Sequence, residues 1–101
     1  MNVIQRTEEF SSWLAALKDV KARARIIARI RQASLGNFGD VKPLDEGVWE
    51  MRIDSGPGYR VYYAREDRVV YLLLNGGDKS TQRQDIKRAI SMWNTIQEEQ
   101  P

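Results

Sequence analysis

Six residues in the middle of the chain have the types and spacing to act on a phosphodiester. Glu50 and Arg52 alternate with apolar neighbours in one stretch, and Arg60 and Tyr62 do the same in the next. If Trp49, Met51 and Ile53 turn toward a core, Glu50 and Arg52 turn away from it. With Tyr59, Val61 and Tyr63 facing that same core, Arg60 and Tyr62 join them on the outer face. Lys79, after two glycines, reaches this face from the end of the sheet, and Lys42 reaches it from an edge. Guanidiniums, an ammonium, a phenol and a carboxylate can hold phosphate oxygens, offset charge growing on phosphorus and move a proton. The same alternation also describes a solvated face whose charges pair across strands.

A second group of cations lies earlier. Lys21, Arg23, Arg25, Arg29 and Arg31 cover the polar surface of one amphipathic segment. Lys21, Arg25 and Arg29 are candidates for contact with RNA phosphates or an acidic partner. A solubilising helix face has the same composition.

What is missing narrows the chemistry. The 101 residues include 16 Lys+Arg and 14 Asp+Glu but no Cys and no His. There can be no disulfide, no thiolate nucleophile, no Ser–His triad and no Cys or His metal site. Asp45, Glu46, Asp54, Glu66 and Asp67 fall at turns without metal-ligand spacing, so neither metal nor cofactor is expected. Gly76-Gly77-Asp78-Lys79 lacks the length and the Gly-Lys-Ser/Thr ending of a phosphate-binding P-loop. Eleven of the 16 cations are arginine, whose planar fork matches phosphate oxygens in pairs. No leader-like or membrane-spanning run is visible, so a cytoplasmic protein without a membrane partner is expected.

The elements that must position these groups follow from periodicity. Met1 to Gln5 reads as an opening strand. Thr7 is a helix N-cap, followed by the stripe Phe10, Trp13, Leu14, Leu17. Asp19 caps a second helix, which carries Ala22, Ile26, Ile27, Ile30 and Ala33 and ends at Gly36. Val41 to Leu44 is a short edge strand, since it contains Pro43. Val48 to Asp54 and Tyr59 to Arg65 alternate. Val69 to Leu74 is apolar on both faces, as in a central strand covered on both sides. Asn75-Gly76-Gly77 closes this meander, and Ile86, Ala89, Ile90, Trp93 and Ile96 mark a last helix. The expectation is one α+β domain over 1–101, ordered β-α-α-β-β-β-β-α, with an antiparallel sheet packed against a helical hairpin and a C-terminal helix.

Three runs carry a resemblance. They are Gly47-Val48-Trp49-Glu50-Met51-Arg52-Ile53, then Gly56-Pro57-Gly58-Tyr59-Arg60-Val61-Tyr62-Tyr63, and Leu73-Leu74-Asn75-Gly76-Gly77-Asp78-Lys79-Ser80 followed by Gln82, Asp85, Ile86 and Ala89. Together they resemble toxins of bacterial type II toxin–antitoxin modules, in the HigB-like branch of the RelE/ParE superfamily. The resemblance spans nearly the whole chain and implies a RelE-like fold. It implies a metal-independent messenger RNA endoribonuclease acting at the ribosome, in which a 2′-hydroxyl attacks the adjacent phosphate. Arg60 matches the phosphate-stabilising arginine, with Arg52 beside it, and Lys79 or Glu50 would shuttle the proton. The histidine or tyrosine that some relatives use near the C-terminus has no counterpart here, where Asp85 stands, and Tyr62 is the geometric substitute. The implied partners are the ribosome, messenger RNA and a cognate antitoxin with a helix-turn-helix domain, so that DNA is met only through that complex. ParE-type relatives instead inhibit DNA gyrase by binding.

Overall fold

Thr7 and Asp19 start the two N-terminal helices as their side-chain oxygens suggest. Thr7 accepts a hydrogen bond from Phe10 N and Asp19 from Ala22 N, each at 3.0 Å. The computed structural model describes residues 1–100. In it β1 (Val3–Arg6) leads into α1 (Glu8–Ala16) and α2 (Val20–Ser34). Then come β2 (Val41–Pro43), β3 (Val48–Ile53), β4 (Tyr59–Asp67) and β5 (Val70–Asp78). A single 3-10 turn (Lys79–Thr81) opens α3 (Gln82–Glu99). Gly36, at φ +100°, ends the α2 region in the left-handed conformation that glycine adopts freely.

The strands form one sheet in the order β1-β5-β4-β3-β2. Its four later strands are antiparallel, but β1 pairs with β5 in parallel, so the sheet is mixed and not purely antiparallel. α1 and α2 carry the chain from β1 to β2 at the opposite edge, and the meander through β3 and β4 returns it so that β5 lies parallel beside β1. The α+β class and the element order agree with the sequence reading, and the architecture is compatible with a RelE-like fold.

Helices cover both faces of the sheet. On one side Met51, Ile53, Tyr59, Val61, Tyr63 and Leu73 pack against Phe10 and Leu14 of α1 and Ile26 and Ile30 of α2. On the other, Val48, Tyr62, Ala64, Leu72 and Leu74 pack against Ala89 and Trp93 of α3. These two cores explain why Val70 to Leu74 is apolar on both sides. They also correct the expected outer face, because α3 closes over half of it. The apolar helix stripe did not say which face of the sheet it would choose.

The second correction concerns Asn75-Gly76-Gly77. These residues do not turn the chain; β5 runs through them, with Tyr62 opposite Asn75, Val61 opposite Gly76 and Arg60 opposite Gly77. The glycines serve close approach. A Cβ on Gly76 would come within 2.4 Å of the Trp13 ring, and one on Gly77 within 1.9 Å of Asp85 Oδ2.

Candidate functional site

Sheet register decides which candidates meet. Lys42, Glu50, Tyr62 and Asn75 form one row across β2, β3, β4 and β5, and Arg52, Arg60 and Gly77 form the next. Both rows lie on the face that α3 partly covers. The first row runs under the helix. Glu50 and Tyr62 are buried there, and Lys42 remains exposed at the edge. The second row stands beyond the N-terminus of α3, where the sheet opens.

Glu50 organises this boundary. Its side chain is 2% exposed, and a carboxylate so deeply placed requires partners. Arg52 Nε donates to Oε1 at 3.2 Å, and Arg60 Nε approaches the same oxygen at 3.6 Å. Gln82, the first residue of α3, donates its side-chain amide to Oε2 at 2.9 Å. The arginines differ in freedom: the Arg52 side chain is 39% exposed and that of Arg60 only 12%. Their charges are pinned from behind by a buried anion while their outer nitrogens face a cleft.

That cleft, of about 260 Å³, is lined by Asp40, Arg52, Ile53, Asp54, Gly58, Arg60 and Lys79. The β3–β4 turn supplies its floor. Gly58, at φ +82°, takes a left-handed conformation that glycine adopts freely and sits beside both cations: a Cβ there would lie in ordinary contact, 3.6 Å from Arg60 Nη1 and 3.7 Å from Lys79 Cδ. The 3-10 turn places Lys79, exposed, on the opposite side. Asp78 caps this turn by accepting from Ser80 N and Ser80 Oγ, bonds that hold its carboxyl below the ordinary carboxylate value.

The structure therefore brings Arg52, Arg60 and Lys79 together at one opening, with Glu50 behind them. It does not bring Tyr62 there. Tyr62 is fully buried beneath α3, its hydroxyl lacks a hydrogen-bond partner, and burial, then the Glu50 charge, pushes its phenol well above the ordinary value. Placing Tyr62 on an open face was an error of the sequence reading, caused by the unforeseen position of α3. Lys42 is exposed on the same face, one strand away from the arginines, and does not line the cleft.

The cations of α2 divide in two. Arg29 spends its guanidinium on backbone carbonyls, donating to Arg52 O, to Phe38 O at 2.9 Å and to Asp40 O at 3.2 Å. It braces the end of β3 against the loop before β2. Arg25 is exposed and donates to Asp54 O at 2.6 Å. Together they line a second cleft of about 300 Å³ that shares Ile53 and Asp54 with the first. Lys21 is exposed and lines neither cleft.

Sequence reasoning missed Gln82, Asp40 and Asp54 as parts of this site. Asp40 reads as a turn residue and Asp54 as the end of the Glu50–Arg52 face, and only the fold shows that both line the same cleft as the arginines. Gln82 belonged to a recognisable run, but its spacing gave no sign of the bond to Glu50.

The fold is a small α+β domain that gathers two arginines, a lysine and two aspartates at an open sheet end, in front of a buried carboxylate. Comparison with known proteins identifies the family. Residues 12–94 match the family described as "Phage derived protein Gp49-like (DUF891)". An uncharacterized protein of Haemophilus influenzae is 52% identical over 86 residues, covering 85% of this chain and 87% of the relative. The chain belongs to the Gp49-like family, a toxin-like family related to addiction modules. Among the described residues no helix is long and apolar enough to cross a membrane.

Proposed function

We propose that this protein is the toxin of a type II toxin–antitoxin module and a ribosome-dependent messenger RNA endoribonuclease of the HigB-like kind. The observation that carries the reading is the convergence of Arg52, Arg60 and Lys79 on one open cleft, with Glu50 buried behind the two arginines. The guanidiniums hold the non-bridging oxygens of the scissile phosphate and offset the charge that grows there as the 2′-oxygen bonds to phosphorus. The 2′ proton passes to an exposed carboxylate of the cleft, Asp40 or Asp54. As the bond from phosphorus to the 5′-oxygen breaks, the Lys79 ammonium supplies the proton to that oxygen. The products are a cyclic phosphate and a free 5′-hydroxyl. Glu50 is assigned to positioning and not to proton transfer, because it lies behind the arginines with both oxygens engaged.

An antitoxin encoded nearby would hold the toxin inactive and, through a helix-turn-helix domain, carry the pair to DNA. Induced expression followed by primer extension on a reporter message tests the reading. Discrete cuts on translated messages are expected. Intact messages together with lost plasmid supercoiling would overturn it in favour of gyrase inhibition.

A further inference from the structure

The two oxygens of Glu50 do different work. Oε1 takes Arg52 Nε and stands 3.6 Å from Arg60 Nε, whereas Oε2 takes only the side-chain amide of Gln82. A carboxylate can rotate about its last torsion, a broad and weakly restrained one. With Oε2 held, rotation stops, and Oε1 becomes a fixed point between two guanidiniums that would otherwise repel each other across β3 and β4. Gln82 can hold it because the 3-10 turn over Lys79–Thr81 delivers the start of α3 over the Glu50 row. The half-buried amide bridges 32 residues of sequence.

We infer that Gln82 is a positioning residue of the cleft: its amide clamps Glu50, and Glu50 sets the separation and aim of Arg52 and Arg60. The inference rests on the proposed phosphodiester chemistry for its consequence in activity, but the clamp itself can be read without any activity. Removing the clamp leaves the arginine charges in place and loosens where they point. Loss should therefore fall on turnover more than on association, since long-range attraction needs charge and transition-state contact needs geometry.

The test compares Gln82→Leu, Gln82→Glu and Gln82→Asn in the full chain. In ribosome-dependent cleavage of a reporter message, Gln82→Leu should slow single-turnover cleavage about tenfold with binding to a 2′-O-methyl oligonucleotide little changed. Gln82→Glu places an anion beside Glu50 and should lose more at neutral pH. Its activity relative to wild type should recover as pH falls and the new carboxyl becomes a donor to Glu50, which Gln82→Leu cannot imitate. Gln82→Asn keeps the donor on a shorter arm and should recover part of the rate.

Nitrogen-15 spectra of the arginine side chains provide the arm independent of catalysis. Arg52 and Arg60 Nε–H signals should be slow to exchange in wild type, and both should broaden or exchange faster in Gln82→Leu. Unchanged arginine signals and unchanged cleavage in all three variants would overturn the clamp. Altered arginine signals in a protein whose wild type cuts no message would uphold the clamp and sink the nuclease reading alone.

Discussion

Arg52 and Arg60 stand directly opposite each other on β3 and β4, two like charges in the place where a sheet tolerates them least. Glu50, one pleat repeat along β3, resolves the conflict by presenting a single oxygen to both, at 3.2 Å and 3.6 Å. The pair is thus kept together by a buried anion, while the space beside Arg60 on β5, left by the missing side chain of Gly77, is taken by Asp85. The meeting of the two arginines at the cleft is a property of the fold.

Removing that anion should cost stability. Glu50→Ala leaves two facing arginines without their counter-ion and is expected to destabilise the protein by about 3 kcal/mol, read from urea unfolding. Glu50→Gln, which keeps the shape and one acceptor, should cost less. A loss in Glu50→Ala no larger than that of an exposed ion pair, under about 1 kcal/mol, would contradict a buried structural carboxylate.

Arg60 should be indispensable to toxicity and not to folding. Arg60→Ala is expected to abolish growth arrest with a circular dichroism spectrum and antitoxin binding like those of wild type. Arg60→Lys should also be impaired, because a point charge cannot reproduce a two-pronged contact. Full toxicity in Arg60→Ala would place the active surface elsewhere.

Tyr62 should be dispensable. Its hydroxyl is buried without a partner, so Tyr62→Phe is expected to keep cleavage within about twofold of wild type and to match or exceed its stability. Alkaline titration gives a second reading. Burial raises the phenols of Tyr62 and Tyr63 above 10.0, so the folded state binds their protons more tightly than the unfolded state does. The resulting stability is complete below that value and is lost as pH climbs above it. Phenolate absorbance from these two rings should appear only as the protein unfolds.

Arg25 and Arg29 of α2 should separate cleanly. Arg25→Glu is expected to weaken ribosome association and flatten its salt dependence, with stability within about 0.5 kcal/mol of wild type. Arg29→Ala should cost about 2 kcal/mol, since it strips charge-assisted bonds from three carbonyls. A stable Arg29→Ala protein with reduced ribosome binding would reverse these assignments.

Periodicity was enough to find the helices, their caps and the alternating strands, because those follow from local chemistry at Thr7, Asp19 and the run from Trp49 to Ile53. It also put Glu50, Arg52, Arg60 and Tyr62 on one face, because side-chain alternation allows nothing else. What it could not supply was the choice made by α3. An apolar stripe at Ala89 and Trp93 fits either side of a sheet, and the side taken decides that Tyr62 is core while Arg60 is cleft. Gly76 and Gly77 misled for a related reason. Paired glycines signal a turn unless a neighbour needs the space, and the neighbours, Trp13 of α1 and Asp85 of α3, take their places only when the helices dock on the sheet.

That dipeptide has an evolutionary corollary. Trp13 presses on Gly76 from one side of the sheet and Asp85 on Gly77 from the other, leaving only backbone between the two helical layers. A lineage that acquires a side chain at either position must shrink or reorient the group facing it in the same step. Among divergent relatives, residue 76 should therefore covary with residue 13, and residue 77 with residue 85, as two separate pairs read from adjacent columns.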